Sequence, residues 1–153
     1  MLVRAACLAF LALASTGCSF GPSQSYKVAA LSTDEAESAA SLISAHRTAH
    51  GLSPVAVDRR LNQAAAHQAR AVAGAGTLSH GNFVARMDQY GVNGNAAENL
   101  TAGSPTVAQA VARWKNSPSH NENLLLPHAR YVGLARADSN GPYGRYWALV
   151  LSD

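Results

Sequence analysis

Ser117-Pro118-Ser119-His120-Asn121-Glu122-Asn123-Leu124-Leu125-Leu126-Pro127 is the stretch on which the reading of the chain turns. A histidine, two asparagines and a glutamate stand between two prolines, and an apolar run closes the segment. Polar side chains gathered between regular elements point to function, so the stretch reads as a functional loop. Before it, Val107, Ala110, Val111 and Trp114 recur at i, i+3, i+4 and i+7, the mark of an amphipathic helix. Ser104-Pro105 suits the start of that helix as N-cap and first residue, and Asn116-Ser117-Pro118 suits its end. After it, Arg130 to Ala137 and Arg145 to Leu151 read as strands of an antiparallel hairpin joined by Asp138 to Gly144.

Two earlier stretches look built to meet this one: Leu78-Ser79-His80-Gly81-Asn82 and Ala96-Ala97-Glu98-Asn99-Leu100. Glu98 sits in otherwise apolar company, where a carboxylate is costly to bury unless paired. Gly74-Ala75-Gly76 closes a helix from about Asp58 to Ala73, with Asp58 as cap and Leu61, Ala64, Ala65, Gln68 and Val72 on its buried face. His67 lies beside that stripe and reads as a surface residue. Phe83 to Tyr90 suits a short helix, with Phe83, Met87 and Tyr90 on one side. Ser32-Thr33-Asp34-Glu35 has capping-box spacing ahead of a further helix that runs to His50 and stops at Gly51. His46 and His50, four apart on that helix, have metal-chelating spacing. No acidic residue follows in HExxH fashion, and His50 suits the helix C-terminus as a cation, so no metal is assigned to them. Helices followed by helix and strands predict an α+β layered domain, not a βαβ fold.

The N-terminus is of another kind. Arg4, the apolar run Ala5 to Ala14 and the small residues Ser15-Thr16-Gly17 read as an export signal over residues 1–17, too short to span a bilayer as a helix. Ser15-Thr16-Gly17-Cys18 resembles a bacterial lipobox, which would make Cys18 the lipid attachment point. Ser15 stands where Leu is usual, so ordinary signal-peptidase cleavage is the alternative. The only other cysteine, Cys7, lies inside the signal, and the mature domain carries no disulfide framework. Residues 18–32 read as a Gly/Pro/Ser/Gln tether, leaving 33–153 as the domain. The predicted location is the periplasm or outer surface, membrane-anchored if Cys18 is lipidated and secreted if not.

The 153 residues make one domain, 48% apolar and 14% charged, which argues against disorder. A net charge of +3 is spread along the chain, with Arg59-Arg60 its densest point, and no basic or aromatic surface of the kind that binds nucleic acid appears.

In order along the chain, these motifs resemble the CAP superfamily, or SCP domain, of cysteine-rich secretory proteins, insect antigen 5 and plant pathogenesis-related proteins. The likeness is closest to its cysteine-free bacterial members, and it covers Thr33 to Ser152. Leu78-Ser79-His80 resembles the first histidine motif. Ala97-Glu98-Asn99-Leu100 resembles the Gly-Glu-Asn-hydrophobic motif, with Ala97 in place of Gly. Trp114, Ser117 to His120 and Asn123-Leu124-Leu125 resemble the second histidine motif. Gly133 follows thirteen residues after His120, as the family spacing requires. Tyr146-Trp147-Ala148 resembles the closing strand. The resemblance implies an α-β-α sandwich with a small three-stranded antiparallel sheet, and a cleft where two histidines and two acidic residues meet. His80, Glu98 and His120 match three of those four positions. The fourth, a Glu on the Trp114 helix, has no match, since Arg113, Lys115 and Asn116 surround Trp114 and Glu122 lies elsewhere.

Two imidazoles on one point suit zinc or another divalent ion, but structural zinc takes four ligands and catalytic zinc usually three. Weak metal binding by His80 and His120 is therefore the expectation, with Glu98 orienting a histidine or polarising a water. No Gly-x-Ser-x-Gly elbow is present, and Ser79 and Ser119 lie beside histidines only in sequence. The favoured function is a non-enzymatic binding module for a small ligand, lipid or peptide. The alternative is a metal-dependent, protease-like hydrolase using Glu98 as general base.

Overall fold

The computed structural model describes residues 25–153, so the export signal and Cys18 lie outside the described residues. The chain runs β1 (Val28–Ser32), α1 (Ala36–Ala49), β2 (Ala56–Val57), α2 (Arg59–Ala75), α3 (Phe83–Gln89), β3 (Ala96–Ala102), α4 (Val107–Lys115), α5 (Pro118–Leu124), β4 (Tyr131–Ser139) and β5 (Arg145–Ser152). The sheet order is β1-β4-β5-β3, with the short β2 also parallel to β4. Its centre is the three-stranded antiparallel unit β4-β5-β3.

Alternation along β5 builds the two cores. Trp147, Leu149 and Leu151 pack with Ile43 of α1, Ala110, Val111 and Trp114 of α4, and Leu124 of α5. Tyr146, Ala148 and Val150 pack with Leu61, Ala64, Ala65, Ala69 and Val72 of α2, and with Met87 of α3. Successive strand residues face opposite sides, so the sheet is covered on both faces and the architecture is an α-β-α sandwich. The alanines of α2 let it lie close to the sheet. At Gly133 the approach is so near that a Cβ would meet the backbone of Leu61 and Asn62. Asn62 Oδ1 accepts the Leu134 backbone N–H at 2.9 Å across the same contact.

Several boundaries differ from the sequence reading. The region read as a tether, 18–32, ends in β1, which pairs with β4 through a bulge between Val28 and Ala30. This half-exposed edge strand is held by backbone bonds and has no apolar alternation to reveal it. The capping box at Ser32 is instead a turn: Ser32 Oγ accepts from Asp34 N at 3.0 Å and lies 3.1 Å from Glu35, while α1 begins at Ala36 without a side-chain cap. Glu35 bonds Arg136 on β4 at 2.7 Å. For α4 the cap is Thr106, which accepts from Gln109 N, not Ser104. Asp58 does cap α2, accepting from Arg60 N and Leu61 N.

The largest correction falls on the opening stretch, which is not a loop. Ser117-Pro118 starts α5, with Pro118 in the first turn, where its missing N–H costs nothing. The dipeptide that looked like the end of one helix is the beginning of the next. What holds α5 down was not anticipated. Arg47 of α1 is wholly buried and donates to the carbonyls of Ser53 (2.8 Å), Leu124 (2.8 Å), Leu126 (2.9 Å) and Ala129 (3.0 Å). One guanidinium thus caps the C-terminal end of α5 and the turn after it, satisfying acceptors a helix end leaves open. Arg47→Met, similar in length but without donors, is expected to cost about 3 kcal/mol in urea unfolding, because buried carbonyls lose their partners.

Candidate functional site

Glu98 and Asn99 are consecutive in β3 and point to opposite faces of the sheet, so the residues around them form a cluster astride one sheet edge. Glu98 is the centre of one half. Its side chain is 2% exposed. His80 Nδ1 donates to Oε1 at 2.8 Å, and Arg86 of α3 donates from Nη2 to Oε2. Arg86, itself buried, also donates from Nη1 to the His80 carbonyl at 3.2 Å, and its guanidinium lies 5.6 Å from the Phe83 ring centroid. The loop carrying His80 is pinned from behind by Gln68 of α2, whose Nε2 donates to the Ser79 carbonyl. α3 is positioned by Asn82, whose side chain accepts from Ala85 N at 3.1 Å.

Asn99 begins the other half. Its Nδ2 donates to the His120 carbonyl at 3.0 Å, and its Oδ1 accepts from Asn123 Nδ2 at 2.9 Å. Asn123 also reaches the Glu98 carbonyl at 3.4 Å. His120 lies in the first turn of α5 with Nδ1 2.8 Å from Ser117 Oγ. Burial first, and then the charge of His80, hold the His120 imidazole below the ordinary histidine range. The two histidines therefore share one electrostatic environment.

Since a carboxylate only accepts, His80 donates from Nδ1, and its neutral tautomer keeps the Nε2 lone pair for a ligand. The His80 side chain is 58% exposed, so that nitrogen is presented rather than hidden. His120, with Nδ1 occupied by Ser117, likewise has Nε2 left. This pattern of a free outer nitrogen and an anchored inner one suits metal-ligating or hydrogen-bonding histidines. Among the described residues no group of three His, Cys, Asp or Glu side chains converges to hold an ion. Glu122 is exposed and takes no part in the cluster. His67 is exposed too, 3.2 Å from the Tyr90 hydroxyl. His46 Nε2 donates to Asn121 Oδ1 at 2.7 Å, and His50 Nδ1 lies 2.8 Å from the His46 carbonyl, so this pair ties α1 to α5.

The sequence reading missed Arg86. Its signal was available as a cation six residues after His80 on a short helix, in a chain where Glu98 had to find a partner. Asn123, part of the second histidine motif, holds its segment to the β3 backbone and to Asn99, inside the site.

The fold is the α-β-α sandwich that the motifs implied, with His80, Glu98 and His120 gathered about one sheet edge. The profile of the cysteine-rich secretory protein family, CAP, matches residues 40–151, and the chain belongs to that family. A curated relative, the uncharacterized protein YkwD of Bacillus subtilis, is 27% identical over 104 residues, which cover 64% of this chain and 40% of that protein. This chain thus matches less than half the length of that relative. An outer surface protein of Borrelia burgdorferi superposes with a TM-score of 0.68 at 24% identity, over 78% of this chain and 93% of that one. An extracellular SCP-domain protein of Bacillus anthracis gives 0.66 at 22% identity, over 75% and 39%.

Two outcomes follow from the geometry. His120 is held neutral in the fold, so the unfolded chain takes up this proton first as pH falls. Its contribution to stability is present above the ordinary histidine range and is lost as pH falls from that range to the folded value. In an NMR titration of ring protons, His120 is expected to titrate below an exposed histidine and to move up in His80→Ala. An unchanged midpoint would mean that the rings are not coupled. Glu98→Gln leaves the buried Arg86 charge without its counter-ion and is expected to cost about 3–5 kcal/mol in chemical unfolding.

Proposed function

We propose that this is an exported binding module of the cell envelope, whose cleft presents His80 and His120 to a small ligand, lipid or peptide. The observation that carries this reading is the engagement of Glu98. Both carboxylate oxygens are taken, one by His80 and one by buried Arg86. A general base must reach water or substrate, and the Glu98 side chain is 2% exposed; Glu98 orients His80 and neutralises Arg86. That geometry favours recognition over hydrolysis with Glu98 as base.

A divalent ion is an auxiliary in this reading. The donor set fits a weak site: Nε2 of His80 and Nε2 of His120 would hold the ion, with Glu98 behind His80 as its hydrogen-bonded support. Bound there, the ion would supply a Lewis-acid contact to a ligand oxygen. Export is supported by the signal-like residues 1–17 and by the extracellular and outer-surface proteins that share the fold. Lipidation at Cys18 would tether the module to a membrane, and cleavage without lipidation would release it.

Calorimetric titration with zinc, at one pH above and one below the histidine range, tests the metal. The expected result is a weak, saturable heat at the higher pH, absent in His80→Ala and in His120→Ala. No heat from the wild type at either pH removes the metal from the proposal. Metal-dependent peptide turnover abolished by His80→Ala would replace the binding module with an enzyme.

A further inference from the structure

The outer edge of β3 is closed along most of its length by side chains. In an antiparallel pair, alternate residues turn their N–H and C=O toward the partner strand and the others turn them away. Gly103 N donates to Arg145 O and Asp153 N donates to Asn95 O, which places Ala97, Asn99 and Thr101 in register with β5 and turns Ala96, Glu98, Leu100 and Ala102 outward. The outward carbonyl of Ala102 accepts from Arg113 at 3.1 Å, that of Leu100 from Trp114 Nε1 at 3.2 Å, and that of Glu98 from Asn123 at 3.4 Å. The series stops there. Among the described residues no such bond closes Ala96, and Ala96 and Ala97 are partly exposed while the rest of the strand is buried.

The open end of the edge lies in a groove of about 560 Å³, walled by Phe83, Val84, Met87 and Asp88 on one side and by Asn123, Leu126 and His128 on the other. Val84 is 69% exposed, an apolar side chain offered to solvent at the groove wall. Asp88 is exposed, and among the described residues its carboxylate forms no ion pair. One residue beyond Ala97, the same edge reaches Glu98 and the histidine cluster, and Asn123 belongs to both places.

We propose that this groove docks an extended peptide, which adds to the open edge of β3 through the backbone of Ala96 and leads its next residues to His80 and His120. The chemistry selects that occupant. An unpaired strand edge is recognised by another extended backbone. Phe83, Val84 and Met87 take an apolar side chain, and Asp88 takes a basic group. The Asn123 bond to the Glu98 carbonyl, the longest of the three closures, is the one a longer peptide would displace. The proposal deepens the reading of the cleft as a binding site, of which the groove is the approach.

The probe is the blocked peptide Ac-Lys-Val-Thr-Val-Lys-NH2, added without metal to the full domain and followed by amide NMR and hydrogen exchange. The expected result is slowed exchange at the Ala96 amide, with shift changes at Val84, Ala97 and Asn123. A copy of the peptide N-methylated at the pairing residues is expected to bind about tenfold more weakly, the loss of roughly one strand hydrogen bond. Val84→Glu, at an exposed position that leaves folding intact, is expected to weaken binding. Binding that persists in His80→Ala supports the groove whether or not the histidine pair takes a metal. Unchanged Ala96 exchange at millimolar peptide overturns the proposal. So does equal affinity for the N-methylated copy. Protection of Ala96 that rises with protein concentration in the absence of peptide also overturns it, because the occupant would then be a second copy of the chain.

Discussion

Glu98 must be paired, and the arrangement of one end of the domain follows from that constraint. An isolated carboxylate at this depth would be protonated or would unfold its surroundings. Arg86 supplies the charge, and His80 supplies a second donor. Because Arg86 also holds the His80 carbonyl, the loop before α3, the helix itself and β3 are fastened at one point. The pair also sets the state of its neighbours. It selects the His80 tautomer, and it brings the charge at the centre of the site close to zero. A site so balanced has little to offer a divalent cation beyond two neutral nitrogens, and that is the physical reason for reading the cleft primarily as a recognition surface.

The opposite side of β3 is fastened by a different chemistry. Asn99, Asn123 and the His120 carbonyl are linked by neutral hydrogen bonds, and α5 is held at its far end by Arg47. A short helix of mainly polar residues, with Leu124 as its buried anchor, would not persist alone. It is helical because its ends are satisfied by other elements. The position of His120 thus depends on α1, through Arg47, as well as on β3. The histidines arrive from opposite faces of the sheet, and only the strand edge brings them together.

Much of this was legible in the sequence. The helical period of Val107 to Trp114, the cap at Asp58, the apolar run of β5 and the order of the His80, Glu98 and His120 motifs each carry a local signal in the sequence. What escaped the reading has no local signal. β1 is tied in by backbone pairing, so its side chains show no pattern. Arg47 looks like any helix-surface arginine until its distant carbonyl partners are known. Ser117-Pro118 carries the same letters whether it ends one helix or starts another. Arg86 was the exception, since a buried Glu98 implies a cation and few were near in sequence.

The edge of β3 shows how the two halves of the site are related. Exposed edges invite pairing with other chains, and domains usually close them. Here α4 and α5 send Arg113, Trp114 and Asn123 to do so, and Asn123 is also bonded to Asn99, which holds the His120 carbonyl. An edge closed for most of its length but left open at Ala96, beside the groove and two residues before Glu98, is what the proposed entrance for an extended peptide would require. The same strand then supplies a backbone that can read an extended chain and, directly beyond it, the carboxylate that aims His80. In the proposed reading, the pairing edge and the carboxylate that orients His80 lie on one strand, with Ala97 joined to Glu98 by a single peptide unit.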